Sequence, residues 1–147
     1  MPCFSANLGE PGTANTVAPR CRVLQSTEKA SSLGSESSIS VLSTSTITGA
    51  SGADTITVGS NLLTAQLYGN QDGDSLLVGG AATSGSIYGG KGNDILSVAG
   101  NVIGGNLEGN SGADTITVGG TVSNGLVAGG KGNDTISLSA VDGGQVG

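Results

Sequence analysis

From residue 49 onward, aliphatic residues return at fixed places in blocks of about twenty. The blocks open at residues 49, 69, 89, 109 and 129, and the last is one residue short. The eighth place of each block holds Ile56, Leu76, Leu96, Ile116 and Ile136. The tenth holds Val58, Val78, Val98, Val118 and Leu138. The nineteenth holds Leu67, Ile87, Leu107, Val127 and, allowing for the missing residue, Val146. Apolar residues two apart, flanked mostly by Thr and Ser and bounded by glycine, mark a short strand with one buried face. A fixed period near twenty makes each block one turn of a stacked array. The pattern predicts an all-β fold, a parallel β-solenoid of β-roll type, with about twenty residues per coil and two sheets. Places 8 and 10 point inward from one sheet. Place 14 (Leu62, Ala82, Val102, Val122) and place 19 point inward from the opposite side. Place 17 is small (Ala65, Gly85, Gly105, Gly125), as expected where the two walls come close.

The periodicity divides the chain. The segment SISVLSTSTITG (38–49) alternates like a strand and begins the repeat domain, 38–147. Residues 1–37 hold all three prolines, both cysteines and many Ser, Thr and Ala, with no helical or strand period. They read as a flexible N-terminal leader. Cys3 and Cys21 make no disulfide framework; they are incidental or cross-link chains.

Composition sharpens this picture. Glycine contributes 28 of 147 residues, and 25 of these fall in the repeat. They mark corners rather than a disordered tail. The chain has no histidine, which removes histidine-based catalysis, and the expectation is a protein that is not an enzyme. Five Lys plus Arg are too few for a nucleic-acid surface. No apolar run reaches the length of a membrane span, and the first 25 residues carry no signal-peptide core. The net charge of −6 lies wholly in the repeat, where eight acids face Lys91 and Lys131.

Five of those acids share the sixth place: Asp54, Asp74, Asp94, Asp114 and Asp134. Neighbouring coils of a parallel sheet stand ~4.8 Å apart. Two like charges at that distance repel by ~0.9 kcal/mol in water and ~3.5 kcal/mol at an effective dielectric of 20. A column of five therefore calls for a cation. The loops offer what Ca²⁺ takes, carboxylates mixed with backbone carbonyls. The glycines that let the loop curl are Gly49, Gly52, Gly69, Gly89, Gly90, Gly92, Gly109, Gly112, Gly129, Gly130 and Gly132. Asp72 adds a carboxylate in the second loop, and Asn93 and Asn133 suit the tight position before the aspartate. Five loops enclose four sites, between adjacent coils along one edge.

Two of these loops, GGKGNDILS (89–97) and GGKGNDTIS (129–137), resemble the RTX, or haemolysin-type, calcium-binding nonapeptide GGxGxDxUx, where U is a large aliphatic. GASGADTIT, GNQDGDSLL and GNSGADTIT are looser copies. The resemblance covers one half of each coil. It implies Ca²⁺ held between successive coils of a β-roll, in chains exported unfolded that fold outside the cell. This chain departs from that pattern. Only one corner of its coil carries the motif, and Asp72 stands where the family has glycine. The chain also stops inside a coil, with no capping or secretion segment after it. That suggests a fragment of a longer repeat protein.

The resulting expectation is a calcium-binding structural repeat module of a secreted or cell-surface bacterial protein. It would fold and stack on Ca²⁺ binding and self-assemble end to end as a homo-oligomer or filament. The alternative is an ice- or glycan-binding solenoid adhesin module. Its ice version rests on the outward Thr and Ser at Thr55, Thr57, Thr115, Thr117, Thr135 and Ser137, interrupted by Leu77 and Ile95. Its glycan version rests on Tyr68 and Tyr88, which share place 20 and would stand side by side.

Overall fold

The computed structural model describes residues 21–24, 29–31, 37–49 and 51–147, with side chains from residue 44 onward. The first strands are β1 (Cys21–Leu24), β2 (Lys29–Ser31), β3 (Ser37–Ser43) and β4 (Thr46–Thr48). The coil opened by Gly49 carries β5 (Thr55–Val58), β6 (Leu62–Leu63) and β7 (Gln66–Gln71). The next carries β8 (Ser75–Val78), β9 (Ala82–Thr83) and β10 (Ser86–Lys91). The third carries β11 (Ile95–Val98), β12 (Val102–Ile103) and β13 (Asn106–Ser111). The fourth carries β14 (Thr115–Ser123) and β15 (Leu126–Lys131), and the last β16 (Thr135–Asp142) and β17 (Gln145–Val146).

Among the described residues every pairing between strands is parallel, and the repeat coils pair twenty residues apart: Leu76 with Ile56 and Leu96, Ile87 with Leu67 and Leu107. The chain is an all-β parallel solenoid with about five turns, and no helix occurs among the described residues. The strands form a ten-stranded and a seven-stranded sheet.

The wall assignment of place 14 differs from expectation. Leu62, Ala82, Val102 and Val122 are buried as predicted, but they do not join the sheet of place 19. Their short strands β6, β9 and β12 belong to the first sheet, because β3 and β14 are long enough to pair on both sides of the bend. The coil is therefore closed by three ladders, two of them joined. Place 17 does lie at a close approach. A Cβ on Gly85 would sit 2.8 Å from Leu62 Cδ2, and Ala65 is fully buried.

Core residues run in continuous aliphatic columns. Ile56, Leu76, Leu96 and Ile116 face inward at place 8, and Ile47, Leu67, Ile87, Leu107 and Val127 at place 19. Burying each such side chain contributes roughly 1.5–3 kcal/mol. No aromatic is needed, since each coil's apolar face is covered by its neighbours.

The missing residue of the last block is absorbed at the corner after place 10. The β14–β16 register shifts between Val118 and Thr121, where Gly119 and Gly120 face Ser139 alone. The Ser139 hydroxyl donates to the Gly119 carbonyl at 2.8 Å. Beyond the corner Val127 and Val146 pair as expected.

Strands β1 and β2 lie inside the stretch read as a flexible leader, N-terminal to the boundary at residue 38. They pair parallel with β3 and β4 and continue the two sheets. The rest of that stretch apart from Ser37, Cys3 included, lies outside the described residues.

Candidate metal centre

The corner between the two sheets is built by places 1–6. The chain leaves the seven-stranded sheet through a strand such as β10, turns, and enters the first sheet at β11. Alternation along β10 points Ile87 and Gly89 inward and Tyr88 and Gly90 outward. Asp94, the last residue before β11, also points inward. Gly89 and Asp94 thus share the inside of the corner. A Cβ on Gly89 would stand 2.8 Å from Asp94 Cγ and 2.8 Å from the Gly109 carbonyl oxygen. The invariant glycine at place 1 therefore vacates the volume that the carboxylate fills. Gly49 repeats this, with Asp54 Oδ2 and Gly69 O each 2.7 Å from its hypothetical Cβ.

The aspartates form a buried column. Asp54 is 7% exposed, Asp74 2%, Asp94 1% and Asp114 1%. Their two oxygens have different fates. Each Oδ1 accepts the backbone N–H of the aspartate one coil earlier: Asp54 to Asp74 at 2.7 Å, Asp74 to Asp94 at 2.8 Å, Asp94 to Asp114 at 2.8 Å and Asp114 to Asp134 at 2.9 Å. The backbone carbonyls are engaged as well, each accepting from the first strand residue of the next coil. The Oδ2 atoms of Asp74, Asp94 and Asp114 are buried and have no hydrogen-bond partner among the described residues.

Removal from water pushes the Asp94 carboxyl up from 3.8 to about 6, and the flanking charges of Asp114 and Asp74 push the same way; the Asp74 N–H opposes them. Asp74 and Asp114 are raised for the same first reason, with Asp54, Asp72 and Asp134 as the neighbouring charges. A buried carboxylate with an unpaired oxygen is costly unless it takes a proton or a cation.

Asp72, Asn93 and Asn133, predicted to join the aspartates, turn outward and are exposed. Asp72 Oδ2 accepts the Gly52 N–H at 3.0 Å, and Asn93 Oδ1 accepts the Ala113 N–H at 2.8 Å. The reason lies one residue away. Place 4 has positive φ throughout, at Gly52, Gly92, Gly112, Gly132 and also Asp72 (φ 71°), so the chain reverses there. Asn93 and Asn133 do not carry the left-handed conformation; Gly92 and Gly132 do. Places 1 and 6 are left facing inward. Among the described residues no three acidic side chains converge. Each gap between coils offers two carboxylates, and other ligands must be backbone oxygens. The carbonyls of Gly69, Gly89, Gly109 and Gly129 border the same small spaces as the Oδ2 atoms of Asp54, Asp74, Asp94 and Asp114 and are suited to that part. A hard cation fits this oxygen-only set.

The opposite corner has contacts the repeat pattern did not predict. Asn61 Oδ1 accepts from Ala81 N–H and Asn101 Oδ1 from Thr121 N–H, both at 2.9 Å. Place 16 is left-handed in every coil, at Thr44, Thr64, Ser84, Gly104, Asn124 and, after the deletion, Gly143. Only Gly104, Asn124 and Gly143 carried a signal readable from residue type.

Comparison with family models, with curated proteins and with solved structures gives no match. The RTX resemblance stands on the loop residues alone.

Proposed function

We propose that this chain is a calcium-stabilised structural module of a secreted or cell-surface protein. The observation that carries the reading is the row of three buried, unpartnered Oδ2 atoms on successive coils. Divalent ions between Asp54, Asp74, Asp94, Asp114 and Asp134 would pair those oxygens and cancel the repulsion along the column. Four Ca²⁺ would turn the formal charge of −6 into +2. Because the cage needs two stacked coils, binding energy becomes folding energy. Affinity is expected at roughly 10⁻⁴–10⁻³ M, the range of extracellular modules.

Stacking of one chain on another belongs to the same proposal. Ile136 and Leu138 continue the core ladder and are only partly buried, so a further coil laid on them extends it. Calcium titration followed by circular dichroism and calorimetry tests the metal. The expected result is a gain of β-signal with heat saturating near four ions per chain. A spectrum indifferent to both calcium and EGTA would falsify it. Sedimentation at high concentration tests the stacking, which a strictly monomeric profile would exclude.

A further inference from the structure

A second feature lies on the outer face of the seven-stranded sheet. Tyr68 and Tyr88 pair in register, as their shared place predicted, with ring centroids 5.0 Å apart and planes at 15°. Two residues further along the same face stand Asn70, Gly90 and Asn110, also in register. Gly90 has no side chain, so a recess opens between the two asparagines, walled by the tyrosines on one side and by Lys91 and Ser111 on the other. Its volume is about 430 Å³, within the size range of small-ligand sites.

The polar groups of the recess are prepared for a ligand. Asn70 Nδ2 donates to the Gly49 carbonyl at 2.7 Å, and Asn110 Nδ2 to the Glu108 carbonyl at 3.3 Å. Both amides are thereby fixed with Oδ1 left over as an acceptor. The Tyr88 hydroxyl and the Lys91 ammonium have no partner among the described residues, whereas the Tyr68 hydroxyl donates to Gln66 Oε1 at 3.0 Å. The set is thus an aromatic wall, two free amide oxygens, a phenol and one cation.

We propose that this recess binds a neutral polysaccharide. Sugar hydroxyls would donate to Asn70 and Asn110 Oδ1 and accept from Tyr88 and Lys91, while C–H faces pack against the tyrosines. The asparagines are two strand spacings apart, roughly 10 Å. That exceeds one pyranose ring, so consecutive sugars along the coil axis are engaged. The recess holds a single cation, Lys91, and Glu108 stands in register beside Tyr88, a local balance that disfavours polyanions and selects a neutral glycan. The site is separate from the inward carboxylates and does not rest on calcium.

The test is native gel electrophoresis of the full chain in gels containing β-glucan, xylan or alginate, with fold monitored by circular dichroism. Retardation by β-glucan or xylan is expected. The tyrosine fluorescence should change saturably, and it reports only on this pair, since Tyr68 and Tyr88 are the only tyrosines and there is no tryptophan. Tyr88→Ala should weaken association at least about tenfold, a typical anchor loss. Asn110→Gly removes one acceptor at a left-handed position that Gly90 and Gly130 already occupy, so it keeps the fold and should weaken binding too. Retardation by neither neutral glycan, retardation by alginate alone, or full retention in both variants overturns the proposal.

Discussion

Asp94 Oδ1 accepts the backbone N–H of Asp74 at 2.8 Å, while Asp94 Oδ2, on the same carboxylate, is buried without a partner. One side chain thus does two jobs that substitution can separate. Asp94→Asn keeps the acceptor, removes the charge and places an amide N–H beside the Gly109 carbonyl. In EDTA this variant should be more stable than the parent by about 1 kcal/mol. With calcium it should lose ions, since Asp94 borders two of the four proposed sites. Asp94→Ala instead strands the buried Asp74 N–H and should cost roughly 1–3 kcal/mol in either condition. Urea midpoints and calorimetric stoichiometry separate the three proteins.

The pH response follows from the raised carboxyl of Asp94. Its folded value, about 6, exceeds the ordinary 3.8, so the folded chain binds the proton more tightly than the unfolded chain. Between those values the folded state holds more protons, and stability falls as pH rises. The metal-free protein should therefore be firmer at pH 4 than at pH 7, by on the order of 3 kcal/mol from Asp94. Asp74 and Asp114 shift in the same direction. Denaturant midpoints in EDTA from pH 4 to 7 provide the check; a rise toward neutrality contradicts the column as described.

Gly89→Ala places a methyl where the Asp94 carboxylate and the Gly109 carbonyl already meet. Overpacking of this kind should destabilise by about 1–3 kcal/mol. Its partner explains the prediction: combined with Asp94→Ala, the methyl gains room, and the double variant should lose less than the two single losses together. A double-mutant cycle by urea unfolding measures the coupling.

Thr64 offers a gain rather than a loss. It is exposed and left-handed at φ 53°, at the place where the fourth coil has Asn124 (φ 52°). Branched residues pay heavily for that conformation, whereas asparagine tolerates it. Thr64→Asn should raise stability by roughly 0.5–1 kcal/mol. The melting temperature under constant calcium tests it.

The aliphatic columns were legible because burial imposes strict repetition: Leu76 and Leu96 must meet in register, so the sequence repeats them. The aspartate column was legible for the same reason; the glycine at place 1 was legible as a repeat, but its role was read as curling the loop, whereas it leaves room for the carboxylate. Side-chain direction within the turn was not. Asp72 and Asn93 sit one or two residues from inward aspartates, and only the left-handed place 4 sends them outward. Glycine at that place leaves no sign of which way the chain reverses. Place 14 was misassigned because inward burial looks alike on either wall. Strands β1 and β2 escaped notice because Cys21 pairs with Ser38 and Ala30 with Ile47, outside the twenty-residue phase, and because such short strands show no period.

Each aspartate carboxylate reaches back to the coil before it, so every coil arrives carrying the cap for its predecessor's N–H. Such a molecule has no preferred size. Excising residues 89–108 joins Tyr88 to Gly109 and leaves every column aligned, with Asp114 meeting Asp74 as Asp94 did. Its length is a count of interchangeable units, open to recombination in whole coils.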